Sequence, residues 1–209
     1  KMLSRILVLA LCVTAMAFGA IIDDFSLAGQ ANDSSIGGVV STTQGNRTIF
    51  ANKLVGDAGL WLDTLVTAGF FNVSTNVSVS GTGGASYTGL WDLSSTGQAL
   101  SIDMIFKDLA DGEIAFWISS DGGATTATSG LLALPGSGPA TIQALISGFS
   151  GLGGVTLNSI NAVGFTAYTA LNQDLRFDNF QEYVVPEPGT YALMAAGLLG
   201  LFAIRRKRA

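Results

Sequence analysis

Between residues 20 and 185 the chain is dominated by alternation of apolar and polar positions. Across 72–80, Val73, Thr75, Val77 and Val79 alternate with Asn and Ser, the period-two signature of a half-buried strand. Leu100, Ile102, Met104 and Phe106 repeat it against Ser101, Asp103 and Lys107. Past the turn dipeptide Asp111-Gly112, Ile114, Phe116 and Ile118 alternate with Ala115, Trp117 and Ser119, so these two strands are predicted to be antiparallel neighbours. Asp121-Gly122-Gly123 marks the next turn, and further strands are predicted over 21–25, 48–54, 141–146, 161–168 and 175–184, with a short turn within 58–67. No window between the two ends sustains a helical period. Eight or more short strands without helices predict an all-β fold, a two-sheet antiparallel β-sandwich over 21–183.

The ends follow another pattern. Lys1 and Arg5 precede an almost wholly apolar run over 6–18 and small residues at Ala15, Ala17, Gly19 and Ala20, the layout of a secretory signal helix occupying 1–20. At the other end Val185-Pro186-Glu187-Pro188-Gly189-Thr190 cannot continue a strand or a helix and reads as an extended linker. The apolar run 191–204 follows, with no polar face of the kind a core helix shows. As a helix its 14 residues reach ~21 Å against a hydrocarbon core of ~30 Å, so flanking residues and local thinning must help it span. Arg205, Arg206, Lys207 and Arg208 would stop transfer and hold that end in the cytoplasm, leaving the domain outside.

Composition narrows the chemistry. Charged residues are only 12% and glycine numbers 27, which suits a turn-rich β domain. Between residues 21 and 187 four cations stand against fifteen carboxylates, a formal charge of −11 that would repel phosphate backbones and argues against nucleic acid as a partner. There is no histidine, and the single cysteine, Cys12, lies in the leader, so imidazole bases, thiol nucleophiles and disulfides are excluded from the domain. Carboxylates, hydroxyls, amides and aromatic rings remain.

Pro186-Glu187-Pro188, the short apolar run and the terminal basic cluster resemble the PEP-CTERM sorting signal of Gram-negative bacteria, over 184–209. The resemblance implies that an exosortase, a membrane-embedded processing enzyme, reads the triplet. It also implies an inner-membrane-anchored precursor that is later delivered to the cell surface or extracellular matrix.

Within the domain, Asp23-Asp24-Phe25, Leu90-Trp91-Asp92-Leu93, 115–120 and Arg176-Phe177-Asp178-Asn179-Phe180 resemble galactose-binding-type jelly rolls, the fold of many carbohydrate-binding modules. In such folds the first and last strands lie side by side, which would bring Asp23, Asp24 and Asp178 together either as ligands of a structural Ca²⁺ or as turn formers and solvated strand ends; no dense calcium-loop spacing favours the former. Trp61, Trp91 and Tyr87, with Phe70-Phe71, are candidates for a sugar-stacking surface, against the alternative of core packing; for Trp117 the sequence leaves the face open. The expected function is an exported, non-enzymatic surface protein that binds exopolysaccharide, with no required cofactor. The alternative is a secreted carbohydrate-active enzyme drawing on Asp92, Asp103, Asp111 and Glu113.

Overall fold

A computed structural model describes residues 20–27, 30–33, 38–57, 59–108, 111–136 and 138–185, without the side chains of 38–40. The leader, the Pro186-Glu187-Pro188 triplet, the apolar run 191–204 and the basic cluster Arg205, Arg206, Lys207 and Arg208 lie outside the described residues. Fourteen strands are described: β1 (Ala20–Asp23), β2 (Gln30–Asp33), β3 (Gly38–Gln44), β4 (Arg47–Val55), β5 (Leu62–Thr67), β6 (Phe70–Thr75), β7 (Ser80–Trp91), β8 (Gln98–Lys107), β9 (Glu113–Ser119), β10 (Ala127–Thr128), β11 (Leu132–Ala133), β12 (Ala140–Leu145), β13 (Ile160–Thr169) and β14 (Asp174–Val184).

The strands pair antiparallel into two seven-stranded sheets. Sheet A runs β12-β8-β14-β6-β5-β2, with β1 also on β14; sheet B runs β10-β9-β13-β7-β4-β3, with β11 also on β9. The inner faces close on a shared apolar core in which Phe165 packs edge to face with Phe25 and with Phe71, and Phe180 sits against Tyr87, Phe116 and Phe165. This is the expected two-sheet antiparallel sandwich, and β1 does lie beside β14.

Three local expectations are corrected. The strand expected over 72–80 ends at Thr75, because Ser78 takes φ +64° and swings Val77 into solvent before β7 begins. β8 and β9 are not neighbours: they lie in different sheets, so the connection through Asp111-Gly112 crosses the sandwich instead of closing a hairpin. In β8 the alternation breaks after Met104. Phe106 pairs with Arg176 while Met104 pairs with Phe177, so Ile105 is an extra residue that turns Phe106 outward and Lys107 inward. There Lys107 donates to the Leu134 carbonyl. A second irregularity, at Asp178–Gln181 with Asn179 at φ +48°, lets Phe177 and Phe180 both face the core.

The junction between the sheets is held by Arg47, 3% exposed. Its guanidinium pairs with Asp23 at 2.6 Å, donates to Gln30 Oε1 and the Leu27 carbonyl, and lies over the Phe25 ring. A charge this deeply buried is tolerable because its donors are satisfied.

Candidate functional site

Side chains at directly paired positions share a face, so the register of sheet B fixes what its outer surface carries. One row across β3, β4, β7, β13 and β9 reads Thr43, Thr48, Ser86, Gly164, Trp117. The next reads Ser41, Phe50, Gly84, Thr166, Ala115, and a third, across β4, β7, β13 and β9, reads Asn52, Thr82, Tyr168, Glu113. The face therefore bears three rings, Phe50, Trp117 and Tyr168, among hydroxyls, one amide and, at its end, the Glu113 carboxylate.

Two glycines set the posture of the rings. A Cβ on Gly164 would meet the Trp117 ring at 2.5 Å, and one on Gly84 would meet the Phe50 ring at 2.5 Å. Each ring thus lies down across the strand beside it, on ground that only glycine leaves clear, and all three are half-buried. From strand spacing and rise, the Cα atoms of Trp117 and Tyr168 are ~14 Å apart and those of Trp117 and Phe50 ~16 Å.

The segment 123–134 forms a wall along β9, and with the sheet it encloses a trough of two depressions that share Tyr168. One, of about 280 Å³, is lined by Ala115, Phe116, Trp117, Gly123, Thr126, Thr128, Thr166 and Tyr168 and holds no carboxylate. The other, of about 360 Å³, is bounded by Asp111, Gly112, Glu113, Leu134 and Tyr168. The wall is braced by Asp121, which accepts from the Ser119 hydroxyl and the Thr125 amide; those bonds, the Thr125 one foremost, draw its carboxyl down to about 2. Gly122 N–H donates to Asn161 Oδ1 and ties the wall to β13.

The three aromatics expected to form a sugar surface do not come together. Tyr87 is 1% exposed and packs on Phe180, and burial, with the nearby Asp23 carboxylate, pushes its phenol well up. It is a core residue, because its register partners Arg47 and Val163 put it on the inner face. Trp61 and Trp91 lie at opposite ends of the sandwich: the Trp61 carbonyl accepts from Asn76, just before β7 begins, and Trp91 ends β7 twelve residues on. Phe71 is core, and Phe70 lies under Arg176 on the outer face of sheet A. Trp117, which the sequence left open, faces out.

Asp23, Asp24 and Asp178 do approach one another through the pairing of β1 with β14, but Asp23 is taken by Arg47 and Asp24 accepts from the Ser26 amide. Burial, opposed by the Asn179 amide and reinforced by Asp103, Asp24 and Asp23, raises the Asp178 carboxyl. Among the described residues no three such side chains form a group that could hold a metal ion. The carboxylates considered for hydrolysis are dispersed: Asp103 is on the outer face of sheet A, Asp111 and Glu113 are in the trough, and Asp92 is exposed beyond β7, accepting from Ser94. Phe50 and Tyr168 were missed; the clue available was the alternation of Phe165 and Ala167 with Gly164, Thr166 and Tyr168.

Several solved structures are similar to this chain at low identity. The family 11 carbohydrate-binding module of a cellulosomal cellulase of Clostridium thermocellum is 16% identical over 81% of this chain and 95% of its own, with a TM-score of 0.43. The agarase AgWH50C is 12% identical over 81% of this chain and 25% of its own, at 0.49, and an exo-beta-agarase is 10% identical over 79% and 25%, at 0.48. Comparison with curated proteins finds no match. Residues 184–208 match the PEP-CTERM protein-sorting motif. That motif implies an exported protein processed by a membrane exosortase in Gram-negative bacteria.

Proposed function

We propose that this is a non-enzymatic surface or matrix protein that binds polysaccharide on the outer face of sheet B. The observation that carries the reading is the posture of Trp117 and Phe50, laid across Gly164 and Gly84 among Thr48, Ser86 and Thr166. A pyranose offers an apolar face and a rim of hydroxyls, and a half-exposed flat ring bordered by hydroxyl groups complements both. The sorting tail supplies the setting, since a chain delivered to the cell exterior meets extracellular polysaccharide there.

Binding without turnover is the reading for the ground around Trp117: the depression beside that ring is lined by no carboxylate, whereas hydrolysis needs two of them flanking the scissile bond, ~5–10 Å apart, and Asp111 and Glu113 lie in the other depression. The experiment is a glycan array with the full chain and its Trp117→Ala and Trp61→Ala variants. The expected outcome is retention of one glycan class without product release, a loss of ~10- to 100-fold for Trp117→Ala, as for a buried aromatic anchor, and none for Trp61→Ala. Release of shortened oligosaccharides by the purified chain would replace this reading with the enzymatic one.

A further inference from the structure

The chain enters and leaves the sandwich at one end. β1 begins at Ala20, which pairs with Glu182, and β14 closes with Val184 opposite Gln98, where the Val185 amide still donates to the Gly97 carbonyl. Residues 92–97 join Gln98 to Trp91, so β7 finishes at this end too. Apolar side chains stay open around the exit. On the sheet B side Leu90 is 86% exposed, and the half-buried Trp91 ring lies back over Gly89, where a Cβ would meet it at 2.6 Å. On the sheet A side Leu145, Ala99 and Tyr183 form one row by register, and Ile21 stands in the next row, beside Gln181. Exposure alone does not single out this end, because Leu54, Val55, Val77 and Leu171 are open at the other, where β4 ends and β7 begins. Tether length does. From Val185 to the start of the apolar run at Tyr191 is six residue steps, at most ~22 Å fully extended. β14 alone takes ten steps, or ~33 Å at the rise of a strand. A tail seated in a bilayer therefore keeps the exit end close to the headgroups, and the far end cannot turn to meet them in its place.

We infer that, in the membrane-anchored precursor, the exit end of the sandwich docks on the lipid surface through Leu90 and Trp91. The occupant of this apolar end is the headgroup layer of the bilayer, where an indole with one polar edge is at home. Asp92 and Asp121 are exposed at the same end, while Arg47, the cation nearest to it, is buried. The contact is therefore apolar, and anionic lipid weakens it. With the strands standing on the membrane, the outer face of sheet B stays turned sideways and open.

The test places the full chain in phosphatidylcholine vesicles that carry a nitroxide quencher at headgroup depth. Three single-tryptophan chains are compared, keeping Trp91, Trp117 or Trp61, with phenylalanine at the other two positions. The chains are expected to float with the vesicles, and Trp91 to be quenched at least ~3-fold more strongly than Trp117 or Trp61. Leu90→Asp, at a side chain open to solvent, should cut the Trp91 quenching by more than about half while the chain still floats. Leu54→Asp with Val77→Asp, at the far end, should leave it unchanged. Equal quenching of Trp91 and Trp117, which means a domain lying on sheet B, overturns the inference, and so does strongest quenching of Trp61. A chain that floats with Trp91 unquenched shows the domain held clear of the lipid and overturns it as well. Failure to float removes the anchored precursor on which the inference rests.

Discussion

The outer faces of the two sheets come from the same antiparallel ladder and present opposite chemistry. Sheet A sets Asp33 beside Asp63, then Ser74 and Asp174 in one row, and Asp103 beside Asp178 further along, with Arg176 stacked on Phe70 between them. Several of its charges are bonded to neutral neighbours: Asp103 accepts from Thr141 and from Asn179, and Arg176 Nε donates to Asn72. Sheet B replaces charge with rings, hydroxyls and glycines, and its acids are confined to one end. The first pattern is that of a solvated surface on which Phe70 and Phe106 stand among charges; the second gathers three half-buried rings on a face poor in charge, the kind of cluster that marks a binding surface.

The contrast is broken most severely at Gly164. Its Cβ would stand 2.5 Å from both the Ala85 carbonyl oxygen and the Trp117 ring, so Gly164→Val is expected to cost ~3 kcal/mol, a fall in Tm of roughly 6–12 °C by calorimetry, together with sugar binding. A smaller effect separates the faces by binding alone. Phe106, 43% exposed on sheet A, should be replaceable by Ala with affinity unchanged within about twofold, where Trp117→Ala costs ~2 kcal/mol of binding.

The least effect tests the charges of sheet A. Burial, then the charge and hydrogen bond of the facing Asp33, push the Asp63 carboxyl up from 3.8 to about 6. A raised folded-state value means that the contribution of the protonated form is fully present below 3.8 and is lost as pH rises through about 6. Because Asp63 is only half-buried and partly screened by solvent, Asp63→Asn should add only ~0.5–1 kcal/mol at pH 7. The gain should vanish near pH 3.5, measured by denaturant unfolding at ~0.5-unit pH steps.

What the sequence disclosed follows from which strands alternate. β8, β9, β13 and β14 were legible because one face of each carries Leu, Ile or Phe. β7 was not, since Gly81, Gly83, Gly84 and Gly89 erase the side-chain period along Ser80–Trp91, though this strand lies near the centre of sheet B. β5 was read as a turn because Leu65 continues the apolar run onto the outer face. The dipeptide Asp111-Gly112 signals a reversal but not which sheet receives the next strand, so β8 and β9 were wrongly paired. For the site the difficulty is similar: Phe50, Trp117 and Tyr168 are separated by 67 and 51 residues in sequence and meet only through the register of β4, β7, β13 and β9. Tyr87, by contrast, follows Ser86 in a polar stretch and gave no sign that its register partner is the buried Arg47.

The outer face of sheet B as the binding surface is tested most directly by tryptophan emission in single-tryptophan chains. With Trp61→Phe and Trp91→Phe in place, Trp117 is the sole indole, and saturating glycan should shift its emission to the blue and shield it from iodide as a sugar covers the ring. The account is contradicted if the glycan binds with full affinity while Trp117 emission and quenching stay unchanged, and the chain keeping only Trp61 or only Trp91 responds instead.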